Sequence, residues 1–233
     1  MTSAANWPER LRQLGEEARD PRLAAFYRAG CPAAETPLGE APLLALDVET
    51  TGLEPGRDAI VSLGLVPFDL RRIRCQEARY WVVRPSSELH GDSVTFHHIT
   101  HSDVRHAPPL DAVLGEVLDA LAGKLVVVHY HRIERGFLDQ ALRRQLGEGL
   151  LFPLLDTMAL EARLHPRRRP GLLGRLRGQR PISIRLADSR QRYGLPAYRA
   201  HHALSDALAT AELLQAQAAT HQWTHTPVGE LWR

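Results

Sequence analysis

The chain has 233 residues, 44% apolar and 24% charged, with a formal net charge of +2. These proportions suit a folded globular chain and exclude disorder, collagen and, with only Cys31 and Cys75, a disulfide scaffold. The longest aliphatic runs, such as Leu125 to Val128, fall far short of the ~18 residues of a membrane span, and the polar stretch Met1 to Arg10 has no signal-peptide core, so a cytoplasmic protein with no membrane partner is expected.

Pro8 to Ala18 and Pro21 to Ala29 each open with a proline tolerated in a first helical turn and carry apolar residues at helical spacing. Cys31 to Pro42 is rich in Pro, Ala and Gly and reads as a linker. Leu43 to Thr50 predicts a buried strand with a polar end, Gly52 to Asp58 a turn, and Ala59 to Leu70 and Ile73 to Arg84 two more strands of a meander. Leu110, Val113, Leu114, Val117, Leu118 and Leu121 define an amphipathic helix. Lys124 to His129 predicts a buried strand, Ile133 to Leu142 a helix, Leu150 to Asp156 a fifth strand, and Ala203 to Ala219 a long Ala/Leu helix. The expected fold class is α/β, a mixed sheet flanked by helices. The chain divides into a helical extension and linker over 1–40, one domain over 41–220, and a tail over 221–233.

Charge is unevenly spread. Ten arginines and a single acid, Asp188, lie between Arg163 and Arg192, and Lys124 is the chain's only lysine. Arginine pairs bidentately with phosphate, so the stretch is expected to track a nucleic-acid backbone, with binding that falls steeply with salt. A solvated arginine-rich face accounts for the same composition.

Three places carry chemistry. Asp47 and Glu49 are two apart at a strand end and so share one side of it. Two carboxylates on a buried strand require a neutralising cation, and a hard divalent metal with oxygen ligands meets that need. Asp206 falls in the first turn of the Ala/Leu helix, where the macrodipole favours an anion. His201 lies just before it, with His202 a rival one position away. Glu134 borders the apolar stripe of Ile133, Phe137 and Leu138, which is unusual for an unpaired charge. Asp139 is an alternative carboxylate, about 140° around the helix from Glu134. His97, His98, His101 and His106 suggest a zinc site, but no cysteine or closed ligand set accompanies them.

Together these segments resemble the DnaQ-like 3′–5′ exonucleases, the DEDDh group of the ribonuclease-H-like fold. The family's Asp-x-Glu-Thr-Thr-Gly motif is matched by Asp47 to Gly52, and its His-x-Ala-Leu-x-Asp-Ala motif by His201, Ala203, Leu204, Asp206 and Ala207. The five-residue spacing of His and Asp selects His201. The second motif, usually His-Asn-x-x-Phe-Asp-x-x-Phe-Leu, runs here from His129 to Leu138, with Tyr130, Ile133 and Glu134 in place of Asn, Phe and Asp. Asp156-Thr157 resembles an Asp-Thr pair that the family often places there, with a structural role. The resemblance spans about Leu43 to Ala219.

The resemblance implies a ribonuclease-H-like fold and a metal-dependent 3′–5′ exonuclease that removes nucleoside 5′-monophosphates from single-stranded DNA. Alternatives are an exoribonuclease or oligonucleotide hydrolase, or a proofreading-type accessory subunit of a DNA polymerase. It implies two Mg²⁺ or Mn²⁺ ions held by Asp47, Glu49, Asp206 and Glu134, with His201 as general base. Thr50, Thr51, Gly52 and Leu53 are expected to receive the terminal nucleotide through backbone N–H groups and an apolar surface, with His98 contacting it. Polymerase binding and self-association stay open.

Overall fold

The computed structural model describes residues 6–86, 99–166 and 181–233. His97, His98 and the arginines from Arg167 to Arg180 lie outside the described residues.

Strands β1 (Leu43–Thr50), β2 (Ile60–Phe68), β3 (Arg79–Val82), β4 (Leu125–Val128) and β5 (Leu154–Asp156) form one sheet in the order β3-β2-β1-β4-β5. β1 runs antiparallel to β2 and parallel to β4, and β4 runs parallel to β5. The expected mixed sheet is therefore present. β4 reads Leu-Val-Val-Val and is buried throughout, as a parallel strand covered on both faces must be.

Two strands are shorter than their hydrophobic runs predict. Asp69 accepts the N–H groups of Arg71 and Arg72 at 2.8 and 2.9 Å, and Cys75–Glu77 coils into a 3₁₀ turn. That turn takes most of Ile73 to Ala78 out of the β3 ladder. Ahead of β5, the N–H groups of Leu150 and Leu151 go to the Asp139 carboxylate and the Tyr27 hydroxyl at 3.0 and 3.2 Å, not to a neighbouring strand.

Helices α1 (Trp7–Glu17) and α2 (Pro21–Arg28) start where Asn6 and Asp20 cap them and Pro8 and Pro21 fit the first turn. Their Trp7, Leu11, Leu23, Phe26 and Tyr27 join the same apolar core as the sheet. Helices α3 (His101–Arg105), α4 (Leu110–Leu121) and α5 (His131–Leu146) follow. All six stripe residues of α4 are buried, at roughly 1.5–3 kcal/mol per fully buried Leu or Val. The last helices are α6 (Thr157–Leu164), α7 (Leu186–Arg192), α8 (Ala203–Thr220) and α9 (Val228–Leu231). None of the described helices is long and apolar enough to cross a membrane.

The linker before β1 and the C-terminal segment are sewn together. Leu38 and Gly39 donate to the carbonyls of Thr226 and Thr224, and Val228 and Gly229 donate to those of Thr36 and Ala34, all at 2.9 Å. Leu154 of β5 exchanges two backbone hydrogen bonds with Arg233. The tail residues Val228, Leu231 and Trp232 are buried in the main core.

Candidate active site

β1 delivers Asp47 and Glu49 to the carboxyl end of the sheet, with Val48 between them turned into the core. A register shift at Glu49/Thr50 ends regular pairing there. α8 lies across β1 and β2 and brings Asp206 on its first turn. Asp47, Glu49 and Asp206 each offer a carboxylate oxygen within 4.8 Å of the other two, and they are the only such group of three or more potential ligands among the described residues. His101 and His106, the two described histidines of the zinc alternative, are both exposed and belong to no such group.

Glu134 enters from the first turn of α5, 2% exposed. Its Oε2 is buried without a hydrogen-bond partner, and so is Oδ1 of Asp206. A buried, unpartnered carboxylate oxygen is costly unless something cationic meets it. Burial first, and then the charges of Asp206, Glu134 and Glu49, hold the Asp47 carboxyl well above the usual range. Burial, then Asp206, pushes Glu49 up to about 8. Burial, reinforced by the charge of Asp156, raises Glu134. Burial raises Asp206, opposed by the nearby Tyr198 hydroxyl and by the His201 N–H, which bonds its carboxylate. Tyr198 carries no motif signal, and only coordinates reveal it at the site. Four acids that resist ionising together form a strong attractor for divalent cations.

His201 has a positive φ of 66° and donates its backbone N–H to Oδ2 of Asp206 at 2.9 Å. Its side of the loop is exposed and borders a cleft of about 600 Å³, walled by Tyr80, Val82, Ile99 and Arg199. His202 stacks its ring on Tyr80, centroids 4.7 Å apart, and precedes the first residue of α8. Both histidines line this cleft, His202 through its stack on Tyr80 and His201 from the exposed side of the loop.

The Thr50 to Leu53 turn differs from expectation at Thr51. Its N–H donates to the Ala59 carbonyl and its hydroxyl accepts from the Ala59 N–H, at 2.9 and 3.0 Å. Thr51 is 2% exposed and pins the turn, so its amide is not available to a nucleotide. A Cβ on Gly52 would collide with the Asp58 carboxylate, which explains glycine there. Leu53, 77% exposed, presents an apolar surface.

The other candidate acids are occupied. Asp139 pairs with Arg143 at 2.9 Å and accepts the Leu150 N–H. Asp156 accepts the N–H groups of Tyr130, His131 and Ala159 and lies 2.6 Å from His131 Nδ1. Burial alone would raise its pKa, but the bond to His131 and the backbone donors win and lower it. His129 sits between Thr157 Oγ1 (2.8 Å) and the Ile184 carbonyl (3.1 Å), and burial depresses its pKa to about 4.

Within the arginine-rich stretch, one side chain is turned inward, contrary to the expectation of a phosphate-tracking face. Arg190 is 2% exposed; it donates to the carbonyls of Ala209 and Pro196, pairs with Glu212 at 2.7 Å and covers the Tyr198 ring. Arg192 pairs with the buried Glu161 at 2.6 Å, and Arg163 donates to the Glu230 carbonyl. Arg190 serves internal packing, where burial leaves it no phosphate to track, whereas Arg163 and Arg192 are exposed beside their partners. Arg185 is exposed.

The sequence profile of the RNase T exonuclease family matches residues 44–214. The PolC-type DNA polymerase III of Thermotoga maritima is 28% identical over 179 residues, which is 77% of this chain but only 12% of that protein. The DNA polymerase III subunit epsilon of Treponema pallidum is 27% identical over 177 residues, 76% of each chain. Among solved structures, the nuclease domain of 3′hExo, a DEDDh family member bound to rAMP, superposes with a TM-score of 0.62 at 15% identity, covering 79% of this chain and 94% of that one. Its sheet and flanking helices match the ribonuclease-H-like architecture. With its acidic cluster in place and nearly three-quarters of its length matched, the chain belongs to the RNase T exonuclease family, among the DnaQ-like 3′–5′ exonucleases.

Proposed function

We propose that the chain is a divalent-metal-dependent 3′–5′ exonuclease that releases nucleoside 5′-monophosphates from single-stranded DNA. The observation that carries this reading is the convergence of Asp47, Glu49 and Asp206 within 4.8 Å, beside the buried Glu134 and the cleft-facing His201. The all-oxygen donor set and the unpartnered oxygens of Asp206 and Glu134 fit hard cations. Asp47, Glu49, Asp206 and Glu134 would hold two divalent cations, Mg²⁺ or Mn²⁺, which when bound would supply positive charge to the attacking and leaving oxygens of the phosphodiester.

The chain's own groups do the rest. Asp206 is tethered through Oδ2 to the His201 backbone N–H, which fixes the carboxylate relative to the loop that carries the imidazole. His201 takes the proton of the attacking water, a role suited to imidazole. Leu53 and Gly52 receive the terminal nucleotide, with the Thr51 hydrogen bonds holding their turn in place.

DNA is the favoured substrate because both relatives described above are named as DNA polymerases or a subunit of one. The rAMP bound to 3′hExo supports a second reading, RNA as substrate. The likeness to a subunit epsilon supports a polymerase as partner. The test is degradation of 3′-labelled and 5′-labelled oligonucleotides of matched DNA and RNA sequence with Mg²⁺, Mn²⁺ or chelator. Early release of the 3′ label as a mononucleotide, abolished by chelator, is expected. Label release from the 5′ end, or activity in chelator, overturns the proposal.

A further inference from the structure

Tyr130 stands where the family's second motif usually has Asn, and the exonuclease chemistry leaves it without a role. Its backbone is in the left-handed region, φ 98° and ψ 71°. Asn and Gly adopt that region readily, but for a bulky aromatic residue it is an outlier held by its surroundings. Here the holding groups are visible. The Tyr130 N–H donates to Asp156 Oδ1 at 3.2 Å, its carbonyl accepts the Ile133 N–H at 3.0 Å, and the next residue, His131, is fastened to Asp156 Oδ2 through both its backbone and its ring. The residue so constrained is not packed away, since Tyr130 is 40% exposed.

Its position is equally specific. β1 and β4 are parallel, with Ala45 opposite Val127. Continuing that register by two residues brings the chain after β4 level with Asp47. From β1 the sheet continues to β2 on one side and to β4 on the other, and crevices at such switch points are where open α/β sheets bind ligands. Tyr130 also lies one helical turn before Glu134. Of the three non-glycine residues with positive φ among the described residues, another is His201, which bonds Asp206 of the acidic cluster.

We propose that Tyr130 is a stacking platform for a base at the 3′ end of the bound strand, its strained backbone being the means of presenting a ring at the rim of the acidic cluster. Aromatic–base stacking is tolerant of sequence and suits an enzyme that must accept every nucleotide in turn. The inference rests on the exonuclease reading.

The test is paired measurement of affinity and stability in the full chain. Binding of a fluorescein-labelled short dT oligonucleotide is followed by anisotropy with Ca²⁺ in place of Mg²⁺, alongside cleavage in Mg²⁺. Tyr130→Asn is expected to weaken binding about tenfold and to raise Tm by roughly 2–4 °C through relief of strain. Tyr130→Phe is expected to recover the lost affinity. A merely structural tyrosine would not weaken binding and raise Tm together. Unchanged affinity in Tyr130→Asn, a loss that Tyr130→Phe does not restore, or weaker binding with a lowered Tm overturns the assignment. Any of these results beside a wild-type chain that cleaves refutes the platform alone; a wild-type chain that neither binds nor cleaves refutes the exonuclease reading as well.

Discussion

Asp47 sits directly opposite Gly64 in the β1–β2 register, and the N-terminus of α8 rests on that glycine. A Cβ at Gly64 would strike the Ala203–Leu204 peptide. The missing side chain lets the helix come down onto the sheet and bring Asp206 to Asp47. Gly64→Ala should lift the start of α8 and cost about 1–3 kcal/mol of stability. Loss of activity should exceed what that destabilisation explains, because a metal constellation tolerates little displacement. Equal Mn²⁺ affinity in wild type and Gly64→Ala, by titration calorimetry, would show that the close approach does not set the site.

Asp47→Ala and His201→Ala should each abolish nuclease activity while keeping the fold. For His201 the loss of a general base predicts a fall of roughly 10²–10⁴-fold. Circular dichroism and oligonucleotide degradation, run on the same preparations, separate chemistry from folding.

Glu134 is one methylene longer than the family's Asp and is fully enclosed. Glu134→Ala should be severely impaired and Glu134→Asp partly active. Full activity in Glu134→Ala would remove Glu134 from the ligand set, and neither Asp139 nor Asp156 has a carboxylate free of other partners to replace it.

The raised carboxyls make the metal-free chain less stable as pH rises. The folded state binds these protons more tightly than the unfolded state, so their contribution is complete below the ordinary Glu value of 4.5 and is lost as Glu49 ionises at about 8. His129 acts in the opposite sense: depressed to about 4 from 6.5, it adds stability above 6.5 that is lost toward 4. The clean window therefore lies between 6.5 and 8, where Tm in chelator should fall with pH. Mn²⁺ should reverse the slope, since cations bind the deprotonated acids. A Tm in chelator that climbs across this window contradicts the assignment.

Arg190→Ala should cost about 3–5 kcal/mol in urea unfolding, as expected for breaking a buried charge pair. Arg185→Ala, at an exposed position of the same stretch, should leave the urea midpoint nearly unchanged.

The sequence made the sheet and much of the site legible because β1 and α8 carry their signals locally. The alternation around Val48 places Asp47 and Glu49 together, and the spacing from His201 to Asp206 spans the loop that their 2.9 Å hydrogen bond closes. Tyr198 is silent in the sequence because its approach to Asp206 depends on how the loop before α8 turns back. Arg190 misled for a related reason: composition records a positive charge but not the two carbonyls and the glutamate that surround it in three dimensions. The shortened β3 and β5 likewise follow from side chains, Asp69, Asp139 and Tyr27, that capture amides which the strand pattern assigns to a ladder.

The seam between residues 34–39 and 224–229, with Arg233 clasping Leu154, makes one buckle of the linker before β1 and the C-terminal segment. Clipping the final ten residues strips partners from the approach to β1 and from the edge of β5 at once. A protease cut or a fused tag at the C-terminus is thus felt on both flanks of the sheet, although neither strand has been touched.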